Sequence, residues 1–203
     1  VTQGIQLIIM LVLARLLGPH AYGLIGMLAI FIAICQVFVD SGLSSALISK
    51  ADRTETDFAT AFYFNIIISA ICYTVLYISA PYIAKFYHQP ILTDLARVLG
   101  ITVMGNALGI IQRTKLTIEM DFKTQTKASL ASVSVSSLIA VILAFNDCGE
   151  WALVAQTLTM ALCNVIILNV IHPWLPKVFF SKSSFKNLFG FGSKLLISGL
   201  LDT

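Results

Sequence analysis

The sequence predicts an all-α membrane protein of about six hydrophobic helices with no soluble domain. Three observations predict it. Of the 203 residues, 58% are hydrophobic and 11% charged, and the mean hydropathy is +0.89; soluble domains run at about 45–50% apolar and about 25% charged. A chain this apolar has too little polar surface to face water, so lipid is the solvent for much of it. Apolar runs close to the ~20 residues that a helix needs to cross hydrocarbon recur along the whole length. The basic residues sit in the gaps between those runs, and the gaps alternate between rich and poor.

The first span covers Val1 to Leu17 and the second Leu24 to about Ile48. Gly18-Pro19 separates them, since a proline after a glycine cannot continue a helix. The third runs from about Ala59 to Ala84 and is closed by Gln89-Pro90; the fourth covers roughly Leu92 to Leu116. The fifth, Ala128 to Phe145, and the sixth, Trp151 to Ile171, are joined by the polar turn Asn146-Asp147-Cys148-Gly149-Glu150. His172-Pro173 ends the sixth. Strands are a poor alternative, because these runs are long and lack strict apolar/polar alternation. The chain is apolar from Val1, with no basic n-region or small-residue cleavage site, so the first span is not a signal peptide. A seventh span starts near Phe191. Both ends interrupt an apolar run, and the natural chain is expected to continue on both sides. The domain division is therefore a six-helix lobe, 1–172, followed by a connector and the start of a seventh helix, 173–203.

Charge orients the threading. One set of gaps holds Lys50, Arg53, Arg113, Lys115, Lys123, Lys127, Lys177, Lys182, Lys186 and Lys194; the other holds only Arg15, Lys85 and Arg97. The ten against three favour a cytoplasmic location for the rich side, which puts the N-terminus in the cytoplasm. The net charge of +3 is thus a topological signal and no sign of nucleic-acid binding. Two segments on the rich side are amphipathic. Glu119 to Lys127 carries Met120 and Phe122 among polar groups, and Phe179 to Phe191 interleaves phenylalanines with Lys182 and Lys186. The second is expected in the headgroup layer, and the first reads either as a headgroup-layer segment or as a solvated connector.

Helix packing in lipid favours small residues. Ala128, Ser132, Ser136, Ala140 and Ala144 recur every four residues on span five, and Gly105 and Gly109 have GxxxG spacing on span four. Both read as packing faces. Ionisable and amide groups inside spans are costly and mark candidate sites. Gln36 and Asp40 share a face of span two, Asn106 lies near the middle of span four, and Gln156 and Asn164 share a face of span six, with Asn169 near its end. Asp40 is the one acidic residue well within an apolar run, so it reads either as an ion carrier or as a carboxylate paired with a basic loop residue. Asp52, Glu55 and Asp57 read as a solvated cluster or a helix cap. No catalytic constellation, metal-ligand spacing or phosphate cradle appears; Cys35, Cys72 and Cys163 lie inside apolar spans as small hydrophobes. No enzyme activity and no cofactor are expected.

Several runs are similar to a known family. Ala14-Arg15-Leu16-Leu17-Gly18-Pro19 with Tyr22-Gly23 joins spans one and two, and Asp40-Ser41-Gly42-Leu43-Ser44-Ser45-Ala46-Leu47-Ile48 closes span two. Met120-Asp121-Phe122-Lys123 follows span four, Trp151-Ala152-Leu153-Val154-Ala155-Gln156 opens span six, and Phe189-Gly190-Phe191-Gly192 leads into span seven. In that order they resemble the polysaccharide-export (Wzx-type O-antigen and exopolysaccharide) flippases of the multidrug/oligosaccharidyl-lipid/polysaccharide transporter superfamily. The turn Asn146 to Glu150 departs from them in being more acidic. The resemblance implies that this chain is the N-terminal lobe of a two-lobe transporter of twelve or more helices, in a bacterial inner membrane. It implies a lipid-linked oligosaccharide as substrate, moved between leaflets by alternating access, with bilayer lipids, a polysaccharide polymerase and glycosyltransferases as further partners. Arg15 and Arg113 are then the candidate diphosphate contacts, because guanidinium binds phosphate with parallel hydrogen bonds. Gln36, Asn106, Gln156 and Asn164 are candidate cavity residues, and Asp40 is the candidate ion-coupling residue. The rival readings are a cation-coupled multidrug exporter of the same superfamily and a non-transporting membrane scaffold, whose polar groups would all close into helix contacts.

The threading has a direct test. A single cysteine at Asp147, in a chain otherwise free of cysteine, should react with a membrane-impermeant maleimide from outside the cell. Labelling only after the cytosol is exposed would overturn the six-span topology.

Overall fold

The computed structural model describes residues 2–40, 43–50, 52–146, 148–171, 173, 174, 176, 181, 184, 185 and 190. They form α1 (Thr2–Asp40), α2 (Leu43–Ser49), α3 (Glu55–Phe86), α4 (Leu92–Ile118), α5 (Phe122–Phe145) and α6 (Trp151–Ile171), with no strand among the described residues. The expected seventh span and most of the stretch Phe179 to Phe191 lie outside the described residues.

Among the described residues five helical stretches are long and apolar enough to cross a bilayer, and the first of them contains two rods. As one straight helix the 39 residues of α1 would reach roughly 58 Å, about twice the hydrocarbon thickness. Gly18 breaks it, with φ 75° and ψ 174°, a backbone region that only glycine occupies readily. The two arms, 2–17 and 19–40, fold back on each other. The Tyr22 hydroxyl donates to the Met10 carbonyl at 3.2 Å, a contact that a straight helix would hold roughly 18 Å apart. Leu13 and Ala21 share one buried cluster with Ala140 and Leu153. The Gly18-Pro19 turn expected from the sequence is therefore present, and six rods result.

The expected spans differ from the observed helices at their ends. Helix α1 is described to Asp40 and α2 from Leu43, and the Asp40 side chain is exposed. Phe122 to Lys127 are the first turns of α5 and form no separate surface segment. Met120, in a left-handed conformation at φ 56°, turns the chain tightly, and the Asp121 carboxylate accepts from the Thr124 amide to cap α5. Bonds from the Thr124 hydroxyl and amide hold that carboxyl below the usual carboxylate range. At the start of α3, Thr54 and Asp57 form a reciprocal capping box, which satisfies two otherwise orphaned amides. Asp57 is buried and also accepts from Lys50, so of the two sequence readings the cap holds for this residue.

Both small-residue faces pack as the sequence predicts. Ala128, Ser132, Ser136 and Ala140 are all buried, and α5 lies against α6 and α1. The Ser132 hydroxyl donates to Ala128 O at 2.7 Å and that of Ser136 to Val133 O at 3.1 Å, so each serine meets its neighbour as a small, self-satisfied group. On α4, a Cβ at Gly105 would contact Ala161, and one at Gly109 would stand 3.1 Å from Val165. Gly100 serves α3 in the same way, since a Cβ there would come within 2.8 Å of the Tyr73 ring. Helix α4 is the centre of the bundle and touches all five other helices. The outward faces are apolar: Leu7, Ile8, Ile67, Ile78, Leu138, Ile142, Ile166 and Val170 are exposed, as lipid-facing positions should be.

Gly18→Ala should destabilise the lobe by about 1–3 kcal/mol, because alanine cannot adopt that backbone without strain. Gly23→Ala and Gly26→Ala, where a Cβ meets open space, should be neutral or slightly stabilising. Thermal midpoints in detergent compare the three; equal midpoints would mean that the hairpin does not depend on Gly18.

Candidate functional site

A cavity of about 620 Å³ opens between the second arm of α1, α4, α5 and α6. Its polar lining comes from Thr102, Asn106, Arg113 and Thr117 on α4, Gln125 and Ser129 on α5, and Thr157 and Asn164 on α6. Arg113 reaches it because α4 runs through the middle of the bundle. Its Nε and Nη2 donate to Asn164 Oδ1 at 3.2 and 2.8 Å. Gln125 ties the α4–α5 turn together beneath, its Nε2 donating to Arg113 O and to Thr117 Oγ1, each at 3.0 Å.

A second polar line runs along the α1 wall. Asn106 Nδ2 donates to Gln36 Oε1 at 3.3 Å, and Gln36 Nε2 to Asp40 Oδ1 at 3.5 Å. Asp40 and Arg113 lie one and two turns beyond the Gln36–Asn106 bond on their own helices, toward the same end of the bundle. The structure thus brings together five of the seven residues singled out from the sequence: Gln36, Asp40, Asn106, Arg113 and Asn164. It leaves two apart. Gln156 is half-buried next to the lining residue Thr157 but does not itself border the cavity. Arg15 is exposed beside the Gly18 break, at the opposite end of the bundle from Arg113. Asn169 accepts from Gln112 Nε2 at 2.9 Å and serves the α4–α6 contact. Thr102, Thr117, Gln125, Ser129 and Thr157 are polar lining residues that the sequence reading missed. A helix satisfies a threonine hydroxyl with its own carbonyls, so nothing in their spacing sets them apart.

Outside the cavity, at the lysine-rich end, a cluster fastens the segment after α6. Lys115 Nζ is 2.8 Å from Glu55 Oε1 and lies 4.6 Å from the centre of the Phe58 ring and 4.7 Å from that of Trp174. Trp174 Nε1 donates to Glu55 Oε2 at 2.9 Å. Farther along, Ser181 N donates to Thr60 Oγ1 at 3.2 Å and Phe185 packs on Phe64. Trp174, Ser181 and Phe185 thus lie against α3. Glu55, expected in a solvated cluster or cap, joins α3 to α4 and to Trp174. Among the described residues no group of three or more His, Cys, Asp or Glu is placed to hold a metal ion.

Lipid-facing helices around a polar cavity define a multi-pass membrane protein whose site lies between the helices of the bundle. The chain belongs to the family described as "Polysaccharide biosynthesis protein", which matches residues 12–203. It is 28% identical over 169 residues to the teichuronic acid biosynthesis protein TuaB of Bacillus subtilis, covering 82% of this chain and 35% of the relative. It is 25% identical over 180 residues to the succinoglycan biosynthesis transport protein ExoT of Rhizobium meliloti, covering 89% and 36%. The lipopolysaccharide biosynthesis protein WzxC of Escherichia coli is 22% identical over 141 residues, covering 68% and 29%. The chain spans about a third of the length of these relatives. No solved structure matches it. The family expected from the sequence motifs is borne out.

Trp174→Ala should lower the stability of the bundle by about 1–2 kcal/mol, through loss of the indole hydrogen bond and the ring over Lys115. Trp174→Phe should recover the ring contribution and not the hydrogen bond. The order of the thermal midpoints (wild type, Phe, Ala) checks this; three equal midpoints would remove the cluster from the forces holding the connector.

Proposed function

We propose that this chain forms the N-terminal lobe of a flippase that moves a polyprenyl-diphosphate-linked oligosaccharide from the inner to the outer leaflet of a bacterial cell membrane. In this reading residues 1–172 are the lobe, 173–203 are the connector and the start of a seventh helix, and the N-terminus is cytoplasmic. One observation carries it: a cationic side chain, Arg113, borders a polar cavity inside a lipid-facing bundle, in a chain whose relatives are named for polysaccharide biosynthesis and transport.

The physical task explains the arrangement. A diphosphate and a hydrated glycan cannot enter hydrocarbon unaided. A cavity with one guanidinium and several amides offers the diphosphate a charge-assisted partner and the sugars hydrogen bonds, while the prenyl tail stays in lipid. Arg113 is the proposed diphosphate contact. Gln36, Asn106 and Asn164 form the polar surround, with Gln156 beside Thr157 at its edge on α6. Arg15, at the other end, would meet the anion at a different stage, and Asp40 is the proposed ion-coupling residue. Alternating access by rocking of this lobe against a second one follows the general scheme of repeat-built transporters. The scaffold alternative expects every polar group to close into a helix contact; Asn106, Arg113 and Asn164 lining a cavity favours transport over it.

Arg113→Gln should cut export of surface polymer at least tenfold, with the protein still in the membrane at normal level. Arg15→Gln should reduce export less. Both are read by quantifying polymer outside the cell against lipid-linked precursor inside. Export unchanged by Arg113→Gln would remove that residue from the transport path, and ion-dependent dye extrusion independent of glycan synthesis would favour the multidrug exporter.

A further inference from the structure

The guanidinium of Arg113 has five N–H donors, and two of them go to a neutral oxygen, Asn164 Oδ1, at 3.2 and 2.8 Å. A carboxylate would be the stronger partner, and one is within reach. The second arm of α1 and α4 run in the same direction, since Leu24 and Leu28 cluster with Leu92 and Leu95, and Val39 with Ile110 and Ile111. Gln36 meets Asn106 at 3.3 Å. One turn further along the arm comes Asp40, and two turns further along α4 comes Arg113, so the two charges flank the same end of the cavity. They are nevertheless held by different partners. Gln36 takes a carboxylate oxygen of Asp40 on the α1 wall, and Asn164, buried on α6, takes the guanidinium on the opposite one.

We propose that Asn164 is a positioning residue, holding the Arg113 guanidinium on the α6 wall and away from Asp40 so that its charge stays available to an anionic diphosphate. A carboxamide suits this because it satisfies two donors without cancelling the charge. The other N–H groups of Arg113 have no protein acceptor among the described residues and remain for the ligand. Without Asn164 the long side chain would turn to Asp40, and the resulting ion pair would compete with the diphosphate for the same donors. The inference rests on the reading of the cavity as a diphosphate site and assigns Asn164 a role that does not require it to touch the substrate.

The test uses the full-length protein in lipid nanodiscs, with farnesyl diphosphate as the probe and inorganic diphosphate as its tail-less counterpart. Asn164→Ala should weaken binding about tenfold to a hundredfold, and adding Asp40→Asn to that variant should restore most of the affinity by removing the competitor. A merely structural role for Asn164 gives no such rescue. Asn164→Asp, nearly the same shape, should also bind weakly because it neutralises the guanidinium in place, and Asp40→Asn should not rescue it. If Asn164→Ala does not fold, Asn164→Asp carries the test. Binding unchanged by either substitution, or a loss in Asn164→Ala that Asp40→Asn leaves in place, would overturn the proposal. Failure of the unaltered protein to bind either probe would instead overturn the diphosphate reading of the cavity, and the role of Asn164 with it.

Discussion

Lipid gives helices no hydrophobic reason to associate, so the bundle depends on how closely their backbones can approach. Helix α4 carries most of that burden. It touches every other helix, and its glycines at 100, 105 and 109 admit Tyr73 from one side and Ala161 and Val165 from the other. Because α4 is shielded from lipid by its neighbours, it can hold Asn106, Gln112, Arg113 and Lys115, groups that would be costly on a lipid-facing rod. Close packing and polarity thus have one cause, the central position of this helix. The small stripe of α5 serves the same end by letting α6 lie close, which brings Asn164 to Arg113.

The cavity illustrates how a polar site is tolerated at this depth. Its amides are shared between helices, Asn106 with Gln36 and Asn164 with Arg113, and each bond satisfies two groups that would otherwise be stranded. The space left over is what a polar ligand would use. At the lysine-rich end the opposite arrangement holds. Lys115, Glu55, Phe58 and Trp174 fill their own contacts and close a joint between α3, α4 and the segment after α6. The cavity is built to be occupied and the neighbouring joint to be shut.

Much of the architecture was legible in the sequence because the bilayer imposes length and period. Gly18-Pro19 announced the hairpin, Trp151–Ile171 matched its expected bounds, and the four-residue recurrence of Ala and Ser on α5 announced its buried face. Less legible was anything set by partners distant in the chain. Arg113 and Asn164 are 51 positions apart, and nothing local shows that they meet. Glu55 read as part of a loop cluster because its partners, Lys115 and Trp174, belong to other segments. Phe122 to Lys127 read as a surface segment because they are polar; the Asp121 cap makes them the opening turns of α5 instead. Arg15 and Arg113 looked equivalent as guanidinium groups near span ends, and only the fold separates them.

The lysine pairings have a consequence in time. While a chain threads into a bilayer, its unpaired lysines resist crossing and so fix which way it faces. In the finished bundle Lys50 is bound to Asp57 and Lys115 to Glu55. Under the proposed threading, two of the charges that steer insertion are afterwards used as fasteners, each joining a loop or helix end to the base of α3. Direction is then chosen before closure, and closure engages two of the charges that chose it.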